Sequence, residues 1–310
     1  MKTIKYIYIL SNIFIFLLMV SCEKEISVEL PRPESKIMVE GFIEIDDYSV
    51  VFLTKNLSYF DAIDTSFVDD LIISGDDAVV IVYDGAQNDT LIHVTLDRWP
   101  YKAYRGTKIK GQSGKEYELK IIYDDKVYYS HTTIKDPIQI DSVLYEKIFL
   151  SDTLGTFTAY WKNPPGYGDY FTLTLKMSTQ KWFYRSNSMV SLIDDKLLES
   201  NEVISIPMIT KGYERNSFFP KDSDEIDWND IMLFKKGDTV SLKLSVIDEE
   251  AYLFWSSWYR SKMTDGNPFT NPARIKSNIS GNPANGSWIG YGSYIQTLYI
   301  NEEGKTVFIN

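Results

Sequence analysis

The sequence predicts a mainly β fold made of two successive β-sandwiches, and three observations predict it. Aromatic residues form 15% of the chain, 22 tyrosines among them, and Tyr with the β-branched residues suits pleated, half-buried surfaces. Short runs alternate apolar and polar residues: Tyr117, Leu119 and Ile121 take one side of an extended segment, and Glu118 and Lys120 take the other. Turn signals separate such runs at Asp84-Gly85, Gly111 to Gly114 and Asp124-Asp125. No amphipathic helix alternates with the strands, which disfavours a parallel α/β sheet.

The chain opens with Lys2 and Lys5, an apolar stretch from Tyr6 to Leu10 and Ile13 to Val20, and the ending Leu17-Leu18-Met19-Val20-Ser21-Cys22. The stretch is shorter than the ~20 apolar residues a spanning helix needs, and its layout is that of a secretory signal. Its ending resembles a bacterial lipoprotein signal, with Met19 where Leu is commonest. That resemblance implies that residues 1–21 are removed and that Cys22 is acylated as the mature N-terminus. Each buried CH₂ of an acyl chain contributes about 0.8 kcal/mol, so two or three long chains hold a protein firmly on a bilayer. The net charge of −11 leaves membrane contact to the lipid. Residues 22–35, with Pro31 and Pro33, read as a tether. Glu23 and Glu25 resemble the acidic surface-export signal of Bacteroidota lipoproteins.

Residues 36–136 form the first expected sandwich, immunoglobulin- or transthyretin-like, with strands at 37–45, 48–54, 77–83, 90–96, 116–124 and 126–134. Asp136-Pro137 marks the boundary. Residues 137–310 form the second, with strands at 139–150, 155–162, 168–177 and 238–247 and a long elaboration over 180–236. Here Phe157 to Pro165 and Tyr170 to Leu173 resemble the early strands of a fibronectin type III domain, where a core Trp precedes a proline turn. One helix is expected at 249–263. Ala251, Phe254, Trp255, Trp258 and Tyr259 make a single apolar stripe, Asp248, Glu249 and Glu250 suit its N-terminal end, and Gly266 and Pro268 end it.

Composition excludes several chemistries. An acidic chain repels phosphate backbones, so nucleic acid is not an expected partner. One cysteine allows no disulfide framework and no Cys-rich zinc site. His93 and His131 sit in strand-like runs, outside any triad context, and there is no Gly-x-Ser-x-Gly. Gly290-Tyr291-Gly292 lacks the dinucleotide pattern, and no phosphate-cradling Gly-Lys-Ser/Thr loop occurs. No cofactor and no catalytic residue is expected.

Candidate ligand contacts are the aromatics near irregular stretches: Trp99, Tyr101 and Tyr104, and Trp182 and Tyr184 with Arg185. Exposed Trp, Tyr and Arg are typical interface anchors, although core packing is the commoner use of such residues. Asp222, Asp224, Asp227 and Asp230 are dense enough to supply oxygens to calcium, but their spacing does not match an EF-hand and a solvated acidic loop explains them better. Paired acids such as Asp76-Asp77 and Asp194-Asp195 leave a carboxylate-dependent hydrolase open. Asp89-Thr90-Leu91 is one of four sites that resemble the O-glycosylation acceptor of exported Bacteroidota proteins.

The lipoprotein signal and three later stretches together resemble the DUF4249 family of Bacteroidota outer-membrane lipoproteins. The stretches are Lys36 to Ile43, leading through Val51 to Thr54 and on to Tyr59-Phe60-Asp61; Ala78 to Ile81 with Asp84-Gly85 and then Gly114 to Ile121; and Phe269, Ser277 to Gly281 and Gly290 to Gly292. The resemblance implies a lipid-anchored, non-enzymatic accessory of a TonB-dependent outer-membrane barrel, assisting substrate capture or gating at the cell surface. It supplies no catalytic residues to transfer. A free-standing surface protein that binds glycans or proteins is the alternative. The loop at Asn282-Pro283-Ala284-Asn285 departs from the family pattern.

Overall fold

The computed structural model describes residues 36–56, 71–96, 102–149, 151–166, 168–183, 191–211, 233–264 and 274–309. Ser35–Asn310 forms one compact unit. Its described part is mainly β, with one long helix.

The strands, in chain order, are β1 (Ile37–Glu44), β2 (Tyr48–Lys55), β3 (Ala78–Tyr83), β4 (Asn88–Thr90), β5 (Ile92–Thr95), β6 (Lys102–Lys110), β7 (Glu116–Tyr123) and β8 (Lys126–Thr133). The second half carries β9 (Ser142–Lys147), β10 (Leu154–Lys162), β11 (Tyr170–Met177), β12 (Leu192–Asp194), β13 (Val203–Met208), β14 (Phe234–Lys235) and β15 (Thr239–Ile247). Helix α1 (Glu249–Thr264) precedes β16 (Ala284–Ile300) and β17 (Thr306–Ile309).

β16 organises the molecule. Its first half pairs in parallel with β1, Ala284 to Tyr291 against Ile37 to Glu44, and its second half pairs antiparallel with β15. One nine-stranded sheet results, in the order β12-β11-β15-β16-β1-β2-β6-β5 with β17 beside β16. Two four-stranded sheets pack on it: β4-β3-β7-β8, and β10 with β9, β13 and β14. The architecture is therefore two sandwiches that share a sheet.

Alternation assigns the faces. Ile37, Val39 and Ile43 of β1 meet Val80, Leu119 and Ile121 in the first core, which also takes Trp288 from β16. Leu173, Leu175, Leu242 and Leu244 meet Phe157 and Trp161 in the second, which takes Leu298 and Ile300 from the same strand. Trp288, Leu298 and Ile300 are an even number of residues apart, so both cores lie on one face of the shared sheet. The odd positions of β16, and Glu40, Phe42 and Glu44 of β1, point to the other face. The segment between the cores, 134–141, leaves β8 directly over β16. A Cβ on Gly292 would lie 2.0 Å from the Lys135 carbonyl oxygen, and one on Gly290 3.0 Å from the Ile134 nitrogen. The two glycines of Gly-Tyr-Gly thus admit the crossing chain.

The expected helix is present, one residue longer. The Asp248 carboxylate caps it by accepting the Ala251 N–H at 2.8 Å. Ala251, Phe254 and Tyr259 are buried, while Trp255 and Trp258 are half-buried in an aromatic cluster with Tyr259. Ala251 and Phe254 pack on Ile289 of the outer face. Six strands depart from expectation: β12, β13 and β14 fall in the stretch 180–236 read as an elaboration, and three lie elsewhere. β6 lies in the stretch read as irregular, and β16 and β17 fall in a region where alternation gave no strand.

Candidate binding groove

The face of the shared sheet turned away from both cores carries a groove of about 440 Å³. Its floor is laid by alternate residues of neighbouring strands: Phe42 of β1, Val50 and Phe52 of β2, and Tyr291 and Ile295 of β16. Thr172 and Thr174 of β11 and Ser245 of β15 continue it. Trp182 and Phe183, in the segment after β11, form a wall. The volume falls within the roughly 300–1,000 Å³ common for small-molecule sites.

Two ion pairs punctuate this surface. Lys243 Nζ donates to both oxygens of Glu44, at 2.8 and 3.1 Å. The pair bridges across β16, and its side chains are only 14% and 23% exposed. The same ammonium lies 4.7 Å from the centre of the Phe183 ring, so that ring is held by cation–π attraction as well as packing. Arg105 Nη2 donates to Asp47 at 2.9 Å in a more exposed pair. Phe42 and Tyr291 meet edge to face with centroids 6.3 Å apart. The Tyr291 hydroxyl accepts the Trp255 indole N–H at 3.2 Å, which ties the groove to α1. Among hydroxyls, Ser245 shares a hydrogen bond with Ser293 at 2.8 Å. The Thr172 Oγ1, buried, has no hydrogen-bond partner among the described residues. Aromatic faces and fixed polar heads side by side are what a site for a ligand with both apolar and polar surface requires.

Of the residues singled out in the sequence, Trp182 lines the groove. Tyr184, Arg185, Trp99 and Tyr101 lie outside the described residues. Tyr104 corrects the expectation of an exposed contact. It is 2% exposed within the first core, where burial and then the nearby Asp77 push its phenol up to about 12. The sequence placed it in an irregular stretch, and β6 instead turns it inward.

Cys22 and the acidic residues Asp222, Asp224, Asp227 and Asp230 lie outside the described residues. Among the described residues, no three His, Cys, Asp or Glu side chains gather as metal ligands. Asp195 organises a turn: its Oδ1 accepts the N–H groups of Gly168 and Asp169 at 2.8 and 3.0 Å. Burial, and then Asp195, raise the pKa of Asp169. His93 and His131 are exposed strand residues, the latter 3.9 Å from Glu250. Phe42, Glu44, Lys243 and Tyr291 were missed as site residues. Phe42 and Tyr291 do lie inside the motifs that carried the family resemblance, but their meeting depends on a strand pairing between opposite ends of the chain.

Among curated proteins, none matches this sequence. The family described as Domain of unknown function (DUF4249) matches residues 23–292, which include β1, the Gly-Tyr-Gly crossing and every described residue of the groove but Ile295. The chain belongs to the DUF4249 family.

Proposed function

We propose that the protein is a lipid-anchored outer-membrane accessory of a TonB-dependent transporter, which captures or gates the transporter's substrate at the cell surface. Its part is binding, and it needs a shaped surface where an enzyme needs a reactive group. The observation that carries this reading is the groove, where aromatic rings and two ion pairs share one concave face. The lipoprotein signal ending at Cys22 supports the anchor. Among the described residues no helix is long and apolar enough to cross a membrane, and in this reading the acyl chains do the holding. The Bacteroidota setting and the barrel partner come from the family resemblance.

The test is to extract the lipidated protein from its native membrane in mild detergent and identify what co-purifies by mass spectrometry. A stoichiometric TonB-dependent barrel is the expected result. Recovery of the lipoprotein alone, repeated under crosslinking, overturns the accessory role.

A further inference from the structure

We propose that the groove binds a neutral oligosaccharide, an inference that rests on reading the protein as a binding accessory. Four features of the site lead to this ligand class.

The first is charge. The Lys243–Glu44 and Arg105–Asp47 pairs are internally neutralised. A charged ligand that drew its counter-charge from the less exposed Lys243–Glu44 pair would leave a poorly solvated charge behind, and the other charged side chains of the lining, Glu40 and Lys181, are one of each sign. Hydroxyl groups need break nothing. A paired carboxylate keeps lone pairs to accept from them, and a paired ammonium keeps hydrogens to donate.

The second is the alternation of apolar and polar lining. A sugar ring has an apolar C–H face and a rim of hydroxyls. Phe42, Tyr291 and Trp182 offer surfaces for such faces, and the charged heads of both ion pairs share the same lining.

The third concerns the backbone. The floor is the face of a sheet, and its N–H and C=O groups are spent in the ladders that join β11, β15, β16, β1 and β2. A peptide adding itself as a strand needs an unpaired edge. Recognition by this floor falls to side chains, which suits a ligand that offers hydroxyls all round.

Extent is the fourth. The lining runs over six adjacent strands, from β11 to β6. At about 4.8 Å per strand that is a path of about 24 Å, longer than one sugar ring and suited to several linked ones.

The experiment uses the full lipoprotein in a detergent without a sugar headgroup, titrated calorimetrically against neutral hexasaccharides of the glucose, xylose, mannose and galactose series. Oligogalacturonate and unrelated hexapeptides are the charged and peptide comparisons. At least one neutral series is expected to bind, with a Kd that changes less than about twofold between about 0.05 and 0.5 M salt. Phe42→Ala and Trp182→Ala should each weaken it about tenfold. Trp182 lies outside the strands, so its variant reports on binding even if Phe42→Ala perturbs the sheet. Binding of the charged sugar or of peptides alone, or of none of these probes, overturns the proposal. So does neutral-sugar binding that both variants leave intact. Co-purification of a barrel is scored separately, so a barrel without sugar binding refutes only the ligand class, and sugar binding without a barrel refutes only the accessory role.

Discussion

Gly41 lies beside Trp288 in the parallel pairing of β1 with β16, and a Cβ at Gly41 would sit 2.8 Å from Cε3 of the indole. The ring is fully buried and donates its N–H to the Tyr117 carbonyl at 3.0 Å, so it has little room to retreat. Gly41→Ala should therefore destabilise the protein by about 1–3 kcal/mol, the usual cost of overpacking a filled core. Chemical denaturation of the variant checks this; an unchanged midpoint would show that the indole can move.

The Asp89 carboxylate on β4 fastens one sheet of the first sandwich to the other. One of its oxygens accepts the consecutive N–H groups of Thr107, Lys108 and Ile109 on β6, at 2.8, 2.8 and 3.0 Å. Near here the β2–β6 register slips, and the carboxylate gathers the N–H groups turned inward. Asp89→Ala strands these donors and should cost about 3 kcal/mol or more. Asp89→Asn, which keeps an acceptor oxygen, should recover part of that loss. Urea unfolding of both variants compares them.

Asp248 and Thr132 couple the helix to both sheets of the first sandwich. Thr132 Oγ1 donates to Asp248 at 2.6 Å and accepts the Gly290 N–H at 2.7 Å, while the other Asp248 oxygen caps α1. Asp248→Ala should cost about 2 kcal/mol through the lost cap and the lost hydroxyl partner. Thr132→Val should cost a similar amount. The double variant should lose less than the sum by about 0.5 kcal/mol or more, as expected of one network.

In the groove, Lys243→Met alone leaves Glu44 in a poorly solvated place, and Glu44→Gln alone does the same to Lys243. Each single change should lower stability by about 1–3 kcal/mol, and the two together should be milder than either. Thermal unfolding of the three variants provides the comparison.

Asp84 gives the turn after β3 an acid dependence. Its hydrogen bond to Lys115 at 2.7 Å, opposed by burial and aided by the Ala86 and Gln87 N–H groups, lowers its pKa from 3.8 to about 2. The folded value is below the unfolded one, so this stabilisation is present above pH 3.8 and fades as pH falls toward about 2. With Lys115 partly open to solvent, it amounts to about 1 kcal/mol. Asp84→Asn should flatten that part of the stability profile, as read from unfolding midpoints across this pH range.

How much of this was legible in the sequence depended on locality. β7 and β8 were found because each has one wet face, so Tyr117, Leu119 and Ile121 alternate with charged neighbours. Helix α1 was found because its stripe and its Asp248 cap lie within one short segment. β16 was not found, since its neighbours on both sides and the chain crossing its glycines bury polar-looking and apolar positions alike from Ser287 to Ile289. β6 was hidden by Gly106 and by a bulge that interrupts its alternation. The groove was legible only at Trp182. Its other walls come from β1, β15 and β16, whose adjacency is a property of the topology.

β1 is nearly the first part of the described chain to be synthesised and β16 nearly the last, yet they are immediate neighbours. Such distant pairing makes for slow folding, because most of the loop entropy is spent before the contact rewards it. Both cores stay incomplete until β16 arrives with Trp288 for one and Leu298 for the other. A chain still being made thus lacks the contribution of β16 to both cores until that strand has been synthesised. The assembled protein should then fold as a single kinetic event, with no stable half to be caught on the way.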